Sequence, residues 1–517
     1  MAIKIILLVL FFSVMLFVGL YCRKHSTDVS GFVLGGRSVG PWLTAFAYGT
    51  SYFSAVIFVG YAGQFGWKYG ISSTWIGIGN ALIGSLLAWV ILGRRTRIMT
   101  QHLQSATMPE FFEKRFSSKA LKLVASCIIF VFLIPYTASL YNGLSRLFGM
   151  AFNIDYTLCI AVMAVLTAVY VIAGGYMATA INDFIQGIIM LFGIVAVVLA
   201  VLTQNGGFTE ALNSLASVQD PSVSNTPGIF ASFFGPEPFD LLCVVILTSL
   251  GTWGLPQMVQ KFYAIKSEKA INKGTVISTL FAAVVAGGCY FLGGFGRLYS
   301  ADVDIAKDGY DAVIPAMMKN MPDLLMAVII VLVLSASMST LSSLVLTSSS
   351  TLTLDFISGN IVKDMSEKKK LLSMRILVAV FILISAVIAV VQYKQNVTFI
   401  AQLMGVSWGA LAGAFLAPFL WGLYSKKTSK LACFVSFILG SGIMIANMIF
   451  RGYFPELLQS PINCGAFCML LNLVLVPVIS LFSKTDSEKV DPIFACYERS
   501  VTVPISQSLG GADQSAE

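Results

Sequence analysis

Hydrophobic and polar positions in this chain are sorted by whole segments more than by alternating faces. Apolar runs of about twenty residues recur from Met1 to Phe482, joined by short polar links. Each run is long enough to cross the apolar layer of a bilayer as one helix. About thirteen such spans can be read: 1–22, 41–66, 72–92, 121–148, 156–173, 177–202, 239–263, an eighth ending near Tyr299, a ninth from 324 to 355, then 372–391, 397–424, 431–450 and 461–482. The pattern predicts an all-α polytopic membrane protein.

Three places break the apolar pattern. The first is Ser335–Thr353, where twelve of 19 residues carry a hydroxyl directly after the apolar stretch Leu324–Leu334. Lipid offers such groups no partners. On a helix Ala336, Ser339, Thr340, Ser343 and Thr347 share one face. Small hydroxyl residues let helices pack closely; converging oxygens in a dry bundle also suit a hard cation. The second is Asp183, a carboxylate one to two turns inside an otherwise apolar span. A charge there costs about 2.5 kcal/mol or more at the bilayer centre, which makes it a functional candidate unless it snorkels to the helix end.

The third break is a matched pair. Span two is interrupted by Gly49, Thr50, Ser51, Tyr52 and Ser54, and span seven by Gly251, Thr252, Trp253, Gly254 and Pro256. A helix broken at mid-membrane frees backbone carbonyls and turns two half-helix ends inward, as transporters do. The two interruptions lie five spans apart, which predicts a five-plus-five inverted repeat. The division expected is a first helix and loop over 1–40, a core over 41–425 (41–202 and 239–425 as the repeats), two accessory helices over 426–484, and a flexible cytoplasmic tail over 485–517.

Composition narrows the function. Of 517 residues, 57% are hydrophobic and only 11% charged, where soluble domains carry about 25%. The net charge of +8 does not point to nucleic acid, because the basic residues sit in short loops. Arg23, Lys24 and Arg37, then Arg94, Arg95, Arg97, Lys114, Arg115 and Lys119, then Lys261–Lys273, Lys363–Lys370 and Lys426, Lys427 and Lys430 all fall on one side of the membrane. That side is cytoplasmic, which puts the N-terminus outside and the C-terminus inside a plasma membrane. Nine scattered cysteines without a CxxC pair and two histidines speak against a histidine-based metalloenzyme.

Several motifs together resemble the sodium:solute symporter family, whose members carry proline, sialic acid, pantothenate, sugars, iodide and small monocarboxylates. FVLGGRSVGPW at Phe32–Trp42 resembles the opening of that family's first core helix, IPYTASLYNGLSRLFG at Ile134–Gly149 its third, TAINDFIQG at Thr179–Gly187 its fifth, and ASMSTLSS at Ala336–Ser343 its eighth. The likeness covers about residues 30 to 425 and implies a LeuT-type fold with one helix before the core and two after.

The resemblance also implies sites. A first sodium would take the carbonyls of Thr50, Phe53 and Ala336 and the hydroxyls of Ser339 and Thr340. A second, present in some members, would use Asp183 with Ser339, Ser342 and Ser343. The solute would meet Tyr52, Ser54, Ala55 and Val56 on span two, Tyr136 on span four, Thr252 and Trp253 on span seven and Gln402 on span eleven, with Asn80 a further candidate. Val56 and Ile57 stand where sugar carriers hold polar residues, and Tyr52 where proline carriers hold an acid. The function expected is sodium-coupled uptake of a small organic solute such as proline, pantothenate or a short monocarboxylate, by a protein that is not an enzyme. Its partners are sodium, the solute and the bilayer, and it works as a monomer. The alternative is a cation-binding channel or sensor without coupled uptake, against which stand the lack of a ring-forming filter segment and of a large soluble domain.

Overall fold

The computed structural model describes residues 2–152, 155–358, 360–394, 400–483, 485 and 487–499. Among them the chain is helix and connecting turns, with isolated bridges and no strand. Eleven helical stretches are long and apolar enough to cross a membrane. Two of these, Val56–His102 and Tyr156–Gln204, are 47 and 49 residues long, about twice what one crossing needs. Each is broken at a glycine in a conformation closed to other residues: Gly70 at φ 65°, ψ −142° and Gly175 at φ 56°, ψ −149°. A Cβ on Gly70 would stand 2.0 Å from the Phe230 carbonyl oxygen, and one on Gly175 2.8 Å from the Phe32 ring.

Helix α1 spans Ala2–Tyr21. The first interrupted span comprises α2 (Pro41–Tyr52) and, after a π turn at Val56–Tyr61, α3 (Ala62–Tyr69). Next come α4 (Thr74–Gly79), π turns over Asn80–Leu87 and Trp89–Gly93, and α5 (Arg94–His102). Then follow α6 (Met108–Phe116), α7 (Lys119–Phe152) and α8 (Tyr156–Gln204). The second interrupted span is α9 (Pro238–Val245), turns through Trp253, and α10 (Pro256–Ala264). The remainder is α11 (Glu268–Gly293), α12 (Asp323–Thr351), α13 (Glu367–Lys394), α14 (Ile400–Tyr424), α15 (Lys430–Ile449), α16 (Pro461–Phe482) and α17 (Ser487–Arg499).

Both interrupted spans break as their sequences predict, and with the same backbone. Phe53 has φ −81°, ψ 119° and Leu255 φ −82°, ψ 121°. At the second break Pro256 explains the geometry, since a proline pushes its predecessor out of the helical region and fits the first helical position. No proline stands at the first.

The hydroxyl-rich α12 runs through the middle of the bundle. Every residue from Leu332 to Thr351 is buried, so its oxygens face protein on all sides. Elsewhere in the bundle, close packing is achieved by removing side chains. A Cβ on Gly66 would lie 1.9 Å from the Gly293 carbonyl oxygen, one on Gly293 2.2 Å from that of Ala62, and one on Gly77 2.6 Å from the Gly287 Cα. α3, α4 and α11 therefore touch backbone to backbone.

Two expectations need correction. The third span does not end at Leu92, because α5 carries the basic residues onward as helix. Arg97 is 6% exposed and donates to the Ile265 carbonyl at 2.5 Å, so it is an anchor and not a loop residue. The segment after 484 is not uniformly flexible either: α17 packs its aromatic face on the basic residues Arg95 and Arg115. Tyr497 lies under Arg95 and Phe494 under Arg115, with ring centroids 4.7 and 4.9 Å from the guanidinium carbons. Residues 500–517 lie outside the described part.

Candidate functional site

At the first break, five oxygens from two helices converge. The Ser339 hydroxyl lies 3.1 Å from the carbonyl oxygens of both Thr50 and Ala336. The Thr340 hydroxyl lies 3.1 Å from the same two carbonyls and 3.4 Å from that of Phe53. All five residues are at most 1% exposed. Carbonyl oxygens only accept. That of Ala336 already takes the Thr340 N–H inside α12, whereas those of Thr50 and Phe53 lie beyond the last ladder bond of α2, Phe53 N–H to Gly49, and meet the Ser339 and Thr340 hydroxyls instead. The carbonyls of Thr50 and Phe53 also mark the C-terminal end of α2, where the helix dipole is negative. A hard cation holding oxygens at about 2.3–2.6 Å would space neighbouring ligands by roughly 3.2–3.7 Å, close to the spacings here. The donor set fits a small, hard, monovalent ion.

One turn further along α12, a different arrangement surrounds Asp183. Its carboxylate is fully buried on α8 and completes no hydrogen bond. The nearby cation is Lys261, whose Nζ stands 3.8 Å from Asp183 Oδ2. Lys261 was expected in a cytoplasmic loop, but α10 continues past it to Ala264 and leaves it 2% exposed inside the bundle. Its Nζ donates to Ser343 Oγ at 3.0 Å and lies 5.1 Å from the Tyr176 ring centre. Ser343 in turn shares a 2.8 Å hydrogen bond with Ser51 of α2. Asp183 and Ser343 are thus brought together with a lysine ammonium between them. Ser342 turns back to its own helix and donates to the Ser339 carbonyl at 2.9 Å.

The solute-site candidates divide in two. Tyr52 and Tyr136 both pack on Trp408 of α14, with ring centroids 5.7 and 5.9 Å away. The Tyr136 hydroxyl faces Ser54 and the Trp408 indole. Yet the hydroxyls of Tyr52, Ser54 and Tyr136 and the Trp408 N–H complete no well-formed hydrogen bond. Such unpartnered buried polar groups are expensive in a finished core. Thr252 and Trp253 differ: Thr252 donates toward the carbonyls of Gly84 and Ser249 at 3.0 and 2.9 Å, and Trp253 Nε1 to that of Ile83 at 3.0 Å. Tyr52, Asn80 and Thr252 line a cavity of about 10 Å³, room for one water.

Ala55 and Val56 are fully buried, and α7 crosses close enough that a Cβ on Gly143 would lie 3.3 Å from Ala55. The first intrahelical bond beyond the break runs from the Phe58 N–H to the Ser54 carbonyl at 3.0 Å. The amides of Ser54, Ala55, Val56 and Ile57 therefore precede the helix's own ladder. Gln402 is partly exposed in the first turn of α14, six residues before Trp408, and stands apart from the aromatic cluster by about 9 Å of helix.

The family model for the sodium:solute symporter family matches residues 32–440. The chain belongs to the sodium:solute symporter family. It is a transporter, not an enzyme: a symporter that couples movement of a solute to sodium. Relatives within the family include the osmoregulated proline transporter OpuE of Bacillus subtilis, 29% identical over 450 residues that cover 86% of this chain and 89% of that protein. A second is sodium/proline symporter 2 of Staphylococcus saprophyticus, 29% identical and covering 85% of each chain. A sodium-coupled sialic acid symporter, solved in a substrate-bound outward-open state, superposes with a TM-score of 0.72 at 17% identity, over 93% of this chain and 98% of that one. That likeness shows a shared fold.

Within this family member, sequence reasoning passed over two residues, Trp408 and Lys261. Trp408 sits in an uninterrupted apolar span, where an aromatic ring reads as packing. Lys261 is followed by Lys266, Lys269 and Lys273 and so resembles the start of a basic loop. A signal did exist for Lys261, since Pro256 restarts a helix only five residues before it.

Proposed function

We propose that this symporter carries a compact amino acid of the proline class with sodium bound at the break between α2 and α12. The observation that carries the reading is the convergence of five buried oxygens, those of Thr50, Phe53, Ala336, Ser339 and Thr340, at a helix end where the Thr50 and Phe53 carbonyls have left the backbone ladder. A cation there would take all five oxygens as ligands at the negative end of α2. Beside it, the free amides at Ser54–Ile57 offer a carboxylate a positive half-helix end. The rings of Tyr52, Tyr136 and Trp408 enclose an apolar body and attract a substrate ammonium. Two relatives are named for proline, which supports the same class. Val56 and Ile57, both fully buried, give a hexose no hydrogen-bond partners.

Sodium at this place joins the end of α2 to α12 and favours the outward-facing state. Its release inward loosens the contact, so that ligand binding biases alternating access. The working unit is a monomer in the plasma membrane with its N-terminus outside and its C-terminus inside, and 41–425 acts as the inverted-repeat core.

In proteoliposomes, sodium-driven uptake of labelled proline should saturate and be competed by compact carboxylate-bearing solutes, with hexoses inert. Sodium-driven uptake of glucose or galactose would refute this substrate class.

A further inference from the structure

The place where some family members put a second sodium is filled in this chain by part of the chain itself. Asp183 is a buried carboxylate with no hydrogen bond, a state a protein interior does not tolerate without a counter-charge. The ammonium of Lys261 supplies it, standing between Asp183 at 3.8 Å and Ser343 at 3.0 Å. The hydroxyls around it are engaged elsewhere: Ser51 with Ser343, Ser342 with the Ser339 carbonyl. An ammonium is a compact point charge with three donors, so it meets the same oxygens a small metal cation would use.

We propose that Lys261 is a tethered second cation, and that this protein consequently binds and moves one sodium per solute. The inference rests on the first-site reading above, because Ser343 follows Ser339 and Thr340 on α12 by about one turn. With Asp183 and Lys261 both charged the locus is neutral, and an added sodium would bring an uncompensated positive charge into it. The tether has a second effect. Lys261 belongs to α10, so its bond to Ser343 and its pull on Asp183 link the second interrupted span to α12 and α8. In a two-sodium transporter that link would come and go with the ion; here it is covalently fixed at one end.

Lys261→Met keeps the apolar stem and removes the charged head. It leaves Asp183, Ser343 and Ser51 around the space of the lost ammonium, which is a site for sodium. The test is equilibrium binding of radioactive sodium to the purified full-length protein, which needs no knowledge of the solute. Wild type should saturate at one ion per chain, Lys261→Met at two, and Lys261→Met with Asp183→Asn again at one. In liposomes the extra ion should raise the accumulation of a neutral solute at about 100 mV from roughly fiftyfold to more than a thousandfold.

Two ions bound to wild type would overturn the proposal without any variant, whatever the folding of Lys261→Met. A folded Lys261→Met that still binds one ion would overturn it as well. The reading beneath it fails differently: wild type would then bind no sodium, or Ser339→Ala with Thr340→Val would keep its ion.

Discussion

The two interrupted helices have the same shape and opposite chemistry. Their break residues, Phe53 and Leu255, agree within two degrees in both backbone angles. At the first break the backbone is left rich in acceptors, and the hydroxyls of α12 come to it. At the second, Thr252 and Trp253 bind their side chains to the carbonyls of Gly84 and Ile83, and the helix that follows brings a cation of its own. Repetition of a fold has preserved the bend while the two bends took different tasks. One is built to receive a charge from outside, the other to deliver one from within.

The sharpest way to break this comparison is to remove the oxygens that meet the first break. Ser339→Ala with Thr340→Val deletes two ligands without adding bulk. At about 1.5–3 kcal/mol for each interaction with a charged group, sodium for half-maximal uptake should rise on the order of a hundredfold or more, in protein that still folds. Unchanged sodium dependence would mean that the hydroxyls serve packing alone.

A smaller effect belongs to the aromatic cluster of the same break. Trp408→Leu removes the ring shared by Tyr52 and Tyr136, each contact worth about 0.5–1.5 kcal/mol beyond burial. The solute half-saturation constant should rise about tenfold, with sodium binding in the absence of solute left alone. Equal losses in both would place Trp408 in the scaffold and not beside the solute.

The smallest effect should come from the second break. Thr252→Val keeps the shape but removes the hydroxyl that bonds the Gly84 and Ser249 carbonyls, the former keeping its bond from Tyr48, at a cost of about 0.5–1.5 kcal/mol of stability. Thermal unfolding should register it, and the sodium half-saturation constant should not. If sodium affinity falls with stability, the two breaks are not chemically independent.

Much of this was legible in the amino-acid pattern, for reasons that particular residues make clear. Apolar runs of bilayer length announce the helices, because nothing else can span lipid. Pro256 and the small residues around it mark a break by local sterics. Hydroxyls in the apolar α12 and a carboxylate at Asp183 are conspicuous because each is costly there. What stayed hidden depended on neighbours distant in sequence. Whether Lys261 points into the bundle or out of it is decided by where α10 lies against α8 and α12. Trp408 gains its role only from two tyrosines, Tyr52 and Tyr136, hundreds of residues away. The basic residues of α5 looked like the end of a span, since charge ends an apolar run without ending a helix. α17 has too few apolar residues to announce its docking before Arg95 and Arg115 are seen beneath it.

The side-chain-free contacts among α3, α4 and α11 carry a kinematic consequence. Gly66 against Gly293, Gly293 against Ala62 and Gly77 against Gly287 leave no layer of methyl groups for one helix to slide over another. Such contacts join the three helices into one plate that is expected to move as a unit. Bending at Phe53–Ser54 then turns the angle of α2 against a fixed partner and does not stretch or slip α3. A change at the two residues of the ion site would then be felt as a change of angle between α2 and the whole plate, whose stiffness the glycines set.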